Sequence, residues 1–136
     1  MIINYLAVVS AAILAMAAGF VWYGPLFGKT WLKITGMSSM SEEAQKKMKK
    51  DSNQLFAIQF VLTLFQVWVL ARSFTGSPDA PQNMVWIWAA IVIPTLASAV
   101  MFTGDSTKVK WVKFLVQGGY QLVIFVLFGL ILGMWK

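Results

Sequence analysis

The sequence predicts an all-α integral membrane protein, a four-helix bundle of transmembrane helices with both termini outside. Hydrophobic residues make up 59% of the 136 residues and charged residues only 12%, about half the charged share of a soluble domain. The apolar residues fall into four runs, each close to the length of about 20 residues that a helix needs to cross the hydrocarbon. The runs are continuous and lack the alternation typical of transmembrane strands.

The four predicted spans form a single membrane domain, residues 1–136. A basic cytoplasmic loop, about residues 24–53, separates the first span from the second. In this loop Ser39-Met40-Ser41-Glu42 fits the capping-box pattern, which predicts a short helix that presents lysines to the lipid surface. Gly24 and Pro25 are expected to end the first span. The spans cover about residues 3–23, 54–71, 84–102 and 112–135.

The placement of basic residues predicts the orientation. The loop after the first span carries six lysines, and the loop after the third span, with its flank, carries three. The opposite side has only Arg72 and Lys136. Because lysine and arginine are enriched on the cytoplasmic side, we expect both lysine-bearing loops there. Anionic lipid headgroups are the nearest partners for these lysines, and nucleic acid is not expected because no soluble basic module is present.

Several classes of chemistry are excluded by composition. The chain has no cysteine and no histidine, which removes thiol nucleophiles, zinc-finger spacings and imidazole acid–base catalysis. No charged residue lies in the middle of a span, where proton relays and ion pathways place them. Residues 24–30 resemble a phosphate-binding loop but are one residue too short and follow a helix rather than a strand. We therefore expect no enzyme, no cofactor and no metal.

Uncharged polar side chains recur inside the spans at helical spacing. An amide that faces lipid stays unsatisfied, so these side chains should point into the bundle or into a subunit interface. Hydrogen bonds between helices are the favoured interpretation, and a polar pathway is the alternative. Pro94 is expected to kink the third span. The candidate residues of this polar interior or pathway are Gln59, Thr63, Gln66, Thr95, Ser98, Gln117, Tyr120 and Gln121.

Two further groups of residues have a predicted role. Rows of small residues on the first and fourth spans let helices approach closely, either inside the bundle or between copies. Aromatic and basic residues after the first span are candidate contacts for lipid headgroups, and no nucleophile–base pair accompanies them. The packing residues are Ala7, Ala11, Ala15, Gly19, Gly129 and Gly133. The candidate headgroup contacts are Trp22, Tyr23, Lys29, Trp31 and Lys33.

Three stretches resemble a known family. Residues 4–9 and 19–31, above all the pattern Trp-Tyr-x-Pro-x-x-Phe-Gly-Lys-x-Trp, resemble the opening of the bacterial membrane family domain-of-unknown-function 1761. Residues 117–121, Gln-Gly-Gly-Tyr-Gln, resemble its closing segment. Members of that family often have asparagine and histidine where this chain has Gln117 and Gln121. The resemblance implies four spans and a bacterial inner membrane, and it implies no activity.

Two functions follow as hypotheses. The first is a non-catalytic multi-pass component of the inner membrane, structural or accessory, that acts through helix–helix and lipid contacts. Its partners would be membrane lipids and either copies of itself or another membrane protein. The second is a small channel or transporter with a path lined by Gln59, Gln66, Gln117 and Gln121.

Overall fold

A computed structural model of the chain describes residues 4–36 and 39–134. Ile3 and Trp135, which bound two of the predicted spans, and Lys136 lie outside these residues. The described helices are α1 (Tyr5–Val21), a first π turn (Trp22–Leu26), α2 (Gly28–Ile34), α3 (Glu42–Phe74), α4 (Ala80–Ile87), a second π turn (Trp88–Val92), α5 (Ile93–Met101) and α6 (Thr107–Met134).

The described residues form an all-α fold, as predicted. Four helical stretches are long and apolar enough to cross a membrane, so the chain is a multi-pass membrane protein. Span 1 is Tyr5–Leu26, span 2 is α3, span 3 is Ala80–Met101 and span 4 is α6.

Helix α6 is the centre of the bundle. It packs against span 1, α3 and span 3, whereas span 3 packs chiefly against α6. The Gly76 N–H donates to the Leu132 carbonyl at 2.8 Å, which holds the connection between α3 and α4 against the end of α6. The Trp22 indole N–H donates to the Val116 carbonyl at 2.9 Å, which joins the end of span 1 to the start of α6. The bundle thus has a terminal end, at Tyr5 and Met134, and a loop end, at α2 and the start of α6.

The buried core lies in the terminal half of the bundle. On α1 the buried residues stop at Ala15, and on α3 they begin only at Thr63. Large apolar residues of α3 nearer the loop end are exposed, for example Leu55 at 63% and Val61 at 62%. Helix α3 therefore packs tightly at the terminal end and leaves the core toward the loop end, where a ring contact between Phe56 and Phe20 of span 1 remains at 5.6 Å. The core cluster contains Ala7, Val8, Ala11, Ala15, Val67, Ala71, Met84, Ile124, Phe125, Phe128 and Leu132.

The segment between spans 1 and 2 differs from the prediction. Gly24 and Pro25 do not end the helix, because the first π turn carries it on to Leu26. The Phe27 N–H donates to the Trp22 carbonyl five residues back, at 2.9 Å, and this wider turn accommodates the proline ring that would clash inside an α-helix. Helix α2 follows at once and was not predicted.

The predicted lysine-bearing helix exists, but it is not separate from span 2. The Ser41 hydroxyl caps it by accepting from the Ala44 N–H at 3.2 Å, and the helix runs without a break from Glu42 to Phe74. Ser39 does not cap it, because the Ser39 hydroxyl donates to the Gly36 carbonyl instead. The predicted capping box is therefore wrong. Glu42 and Glu43 lie in the first turn, where the helix dipole favours negative charge.

Pro94 produces a widened turn in span 3. The second π turn lies directly before it, and the Ile93 N–H donates to the Trp88 carbonyl rather than to the carbonyl four residues back. Single π turns are a recognised way in which a helix absorbs a misfit. Span 3 therefore stays helical through the proline.

An ion pair joins the connection between α5 and α6 to the start of α6. The Lys113 ammonium lies 2.7 Å from the Asp105 carboxylate. The hydrogen bond from Lys113 is the main cause that lowers the pKa of Asp105 below its ordinary value. Because the folded-state pKa is lower than the unfolded one, the stabilisation is present above the unfolded pKa of about 3.9 and is lost as the pH falls through the folded pKa.

We therefore expect Asp105→Asn to lower the melting temperature in detergent at pH 6 and the difference from the unsubstituted protein to vanish as the pH falls below about 4. The measurement is the melting temperature of both proteins between pH 3 and pH 7. Asp79→Asn is the matched control, because the Asp79 side chain makes no capping bond. A difference that persists unchanged at pH 3 would contradict the assignment.

Candidate functional site

Three aromatic side chains donate hydrogen bonds to backbone carbonyls of neighbouring spans around the middle of α6. The Trp22 indole donates to Val116, as described above. The Trp88 indole donates to the Gly118 carbonyl at 2.9 Å, and the Tyr120 hydroxyl donates to the Ala15 carbonyl at 2.8 Å. A carbonyl oxygen has two lone pairs, so it can accept such a bond as well as its helical one. These bonds connect spans 1, 3 and 4.

Glycines make room for this arrangement. A Cβ on Gly119 would lie 2.9 Å from the Trp22 ring, and one on Gly19 would lie 3.0 Å from the Tyr120 hydroxyl oxygen. A Cβ on Gly118 would lie 3.3 Å from the Ile93 Cδ1. The Gly-Gly-Tyr sequence of α6 therefore lets three helices approach each other at one level.

The predicted packing residues lie at helix contacts. Ala7, Ala11 and Ala15 are at most 1% exposed, and Gly19 faces Tyr120. A Cβ on Gly129 would lie 2.6 Å from the Pro81 Cα, and one on Gly133 would lie 2.8 Å from the Ser77 carbonyl oxygen. All of these contacts lie within one copy of the chain.

Three glutamines lie on the core-facing sides of α3 and α6, toward the loop end. Gln59 belongs to the same i, i+4 row as the buried Thr63 on α3, yet it is exposed. Gln117 and Gln121 lie seven residues before the buried Ile124 and Phe128, on the same side of α6, yet each is only half-buried. We call Gln59, Gln117 and Gln121 the inward-facing glutamines.

These glutamines do not bond to each other or to another span. The Gln59 amide donates to the Thr63 hydroxyl at 3.3 Å within α3. Among the described residues, the side chains of Gln66, Gln117 and Gln121 have no hydrogen-bond partner. The amides of Gln66, Gln117 and Gln121 were expected to bond between helices, and they are therefore unsatisfied within the described part of a single copy.

Two other predicted polar residues do not face the interior. Thr95 and Ser98 are exposed, whereas α5 contacts α6 through Ile93 and Leu96 on its other side. The prediction placed them inward because they follow Pro94 at helical spacing. Spacing fixes which residues share a face, but it does not fix which face meets the neighbouring helix.

The residues predicted to contact lipid headgroups gather around α2. Lys29 and Lys33 are exposed, and Trp31 is half-buried. The Tyr23 ring lies 5.0 Å from the Trp31 ring and 5.5 Å from the Tyr120 ring. These edge-to-face ring contacts attach α2 to the loop end of span 1. Trp22 differs from the rest, because its indole N–H is occupied by Val116.

Metal-binding groups are not found together. In residues 4–36 and 39–134 no three side chains of His, Cys, Asp or Glu are arranged to hold a metal ion.

Residues 6–133 match the model of a family described as protein of unknown function, DUF1761. The chain belongs to this family. The match confirms the resemblance seen in the sequence and covers all four spans of the DUF1761 chain. No curated protein and no solved structure gives a significant match.

The aromatic-to-carbonyl bonds of this DUF1761 chain were not predicted. Trp22 was predicted to contact lipid headgroups, because tryptophan is common at membrane interfaces. A signal was available, since Gly118 and Gly119 adjoin Tyr120, and paired glycines inside a span permit close contact with a large ring. The partner carbonyls depend on helix rotation, which the sequence does not encode locally.

Proposed function

We propose that the protein is a non-catalytic membrane component that binds another membrane helix through its inward-facing glutamines. The carrying observation is that Gln117 and Gln121 lie at membrane depth, half-exposed and without a hydrogen-bond partner in the described part of the chain. A polar group left unpaired in hydrocarbon is costly, and amide bonds between membrane helices contribute about 0.6 to 2 kcal/mol each. A partner helix that supplies donors and acceptors removes this cost.

The location of the core supports the proposal. The terminal half is tightly packed and holds α3 against the other spans, so the part of α3 toward the loop end can move away from α6 without unfolding the bundle. The exposed apolar residues of α3 beside Gln59 would then also be covered by the partner. We place the protein in the bacterial inner membrane, with α2 and its lysines at the cytoplasmic lipid surface.

Cross-linking tests the proposal directly, because the chain has no cysteine. We expect Gln117→Cys, labelled in membranes with benzophenone-4-maleimide and irradiated, to give a covalent adduct, because the excited ketone abstracts a hydrogen from a neighbouring C–H bond and the two radicals then combine, so the partner needs no thiol. A mass of twice the chain would identify a second copy, and another mass would identify a different membrane protein.

The matched control is Val123→Cys, which lies on the same helix and is 37% exposed. Val123 lies in the same span, about 9 Å along α6 from Gln117 and on another face of the helix, so it should cross-link far less. Equal adduct yields at both positions, or none at Gln117→Cys, would contradict the proposal.

A second candidate function is permeation of a small polar solute. It is favoured by the same inward position of the glutamines, which would line a wet route from the loop end. Purified protein in liposomes would then accelerate osmotic swelling in glycerol or urea, and Gln121→Leu would slow it. Swelling equal to that of empty liposomes would exclude this function and leave the first one standing.

A further inference from the structure

A second site lies on the outer side of the bundle, between span 3 and α6. It is an open groove of about 400 Å³. Gly118 and Gly119 form part of its floor, and Trp88 and Ala89 of the second π turn line its side. We call it the π-turn groove.

The groove is apolar along its length. Beyond the four residues just named, its lining side chains are Ile93, Phe114, Leu115 and Leu122. The indole N–H of Trp88 is already bonded to the Gly118 carbonyl, so it presents carbon rather than a free donor to the groove. A hydrocarbon chain fits such a lining, because no group in it needs a polar partner.

A cation lies on the same face of α6. Lys108 precedes Leu115 by seven residues, and Leu115 precedes Leu122 by seven, so all three share one side of the helix. Trp111, which is 62% exposed, lies between Lys108 and the groove. The order from the loop end is therefore cation, tryptophan and apolar groove, which matches the order of headgroup, interface and acyl chain in a lipid.

Lys108 is available for a ligand, unlike its neighbours. The Lys113 ammonium is held by Asp105, and the Lys110 ammonium donates to the Met101 carbonyl at 2.8 Å. Lys108 is exposed and has no partner among the described residues. It also lies in the first turn of α6, where the helix dipole favours an anion.

The distances agree with a phospholipid. Gly118 follows Lys108 by ten residues, which is about 15 Å along a helix. The hydrocarbon of a bilayer is about 30 Å thick, so the groove lies at acyl depth when Lys108 lies at the headgroups.

We propose that the π-turn groove binds one acyl chain of an anionic phospholipid whose headgroup contacts Lys108. The site is distinct from the aromatic and lysine cluster of α2, and it depends on the membrane setting alone and not on a partner helix. The lipid-binding proposal can therefore succeed or fail independently of the cross-linking result at Gln117.

The test is lipid retention, measured by native mass spectrometry of the full chain purified with phosphatidylglycerol or phosphatidylcholine of identical acyl chains. We expect the unsubstituted protein to retain one phosphatidylglycerol in preference to phosphatidylcholine. Ala89→Trp fills the groove and should reduce that retention about tenfold. Ala90→Trp is the control, because Ala90 is also exposed and does not line the groove.

A second pair of variants tests the headgroup contact. Lys108→Gln should weaken retention of phosphatidylglycerol about fivefold, the effect of one lysine near an anionic surface, and should leave phosphatidylcholine unchanged. Lys50→Gln, another exposed lysine beside a span, should have no such effect. A double Lys29→Gln, Lys33→Gln variant separately reports the contacts of α2.

Three outcomes would overturn the proposal. If the Ala89→Trp and Ala90→Trp variants retained equal amounts of phosphatidylglycerol, the acyl chain would not lie in the groove. Equal retention of the two phospholipids by the unsubstituted protein would exclude an anionic headgroup. A loss confined to the α2 double variant would place the lipid at α2 instead. The helix content of each variant, measured by far-ultraviolet circular dichroism, confirms that the variant is folded.

Discussion

Gly129→Ala is expected to destabilise the bundle by about 3 kcal/mol, the upper part of the usual range for overpacking. The added Cβ would lie 2.6 Å from the Pro81 Cα, 2.9 Å from the Pro81 nitrogen and 3.0 Å from the Ala80 carbonyl oxygen. All three are backbone atoms, so no flexible side chain can move aside. Either α4 or α6 has to shift, and the closest contact of the bundle opens.

The free energy of unfolding, measured by titration with sodium dodecyl sulfate in mild detergent, checks this expectation. Gly24→Ala is the matched control, because Gly24 is also helical and a Cβ there would meet nothing within 4 Å. If Gly129→Ala proved as stable as Gly24→Ala, the close contact between α4 and α6 would be wrong.

Phe128→Ala is the second large effect that we expect, a loss of about 2 to 3 kcal/mol. Phe128 is 0% exposed and is among the largest fully buried side chains. In a soluble protein such a truncation costs about 3 to 5 kcal/mol, part of it from transfer to water. When membrane helices come apart they remain in lipid, so no side chain is transferred to water. The loss of stability then comes mainly from the cavity that the truncated side chain leaves.

Phe65→Ala separates packing from hydrophobicity. Phe65 is 62% exposed on α3, and its ring contact is with Trp68 of the same helix. Lipid can fill the space that its ring leaves, so the free energy of unfolding in the same titration should change by less than about 0.5 kcal/mol. Comparable losses for Phe65→Ala and Phe128→Ala would mean that the core is misplaced.

The four spans could be predicted because hydrocarbon imposes both a length and a composition on a helix that crosses it. The boundaries of α2 and α3 could not be predicted in the same way. A hydropathy pattern ends where the polar residues begin, although α3 continues through them to Glu42. The signal that remained was the lack of any glycine or proline between Glu42 and Phe74, which leaves nothing to end the helix.

The end of span 1 was also predicted wrongly, here because of a proline. Pro25 was interpreted as the end of span 1, although a single π turn carries the helix past it. The choice between a stop and a wide turn depends on tertiary contacts, here the indole bond of Trp22 to Val116. Sequence spacing contains no information about such a bond across 94 residues.

In the candidate site, too, residue spacing predicts which residues share a helix face but not the contacts between helices. Spacing predicts that Gln117 and Gln121 share one side of their helix with core residues. It could not show that their amides lack partners, because that follows from the exposure of α3 toward the loop end. Neither could it reveal the π-turn groove, which exists only once span 3 is placed beside α6.

The unbroken length of α3 has a mechanical consequence. The buried residues of this helix lie only between Thr63 and Ala71, and toward the loop end a ring contact joins Phe56 to Phe20. Glu42 lies about 21 Å beyond Phe56 along the helix. A tilt of about 10° at Phe56 would move the four lysines near Glu42 sideways by about 2 Å. A rearrangement of the helices inside the bilayer that tilts α3 therefore displaces positive charge outside the bilayer.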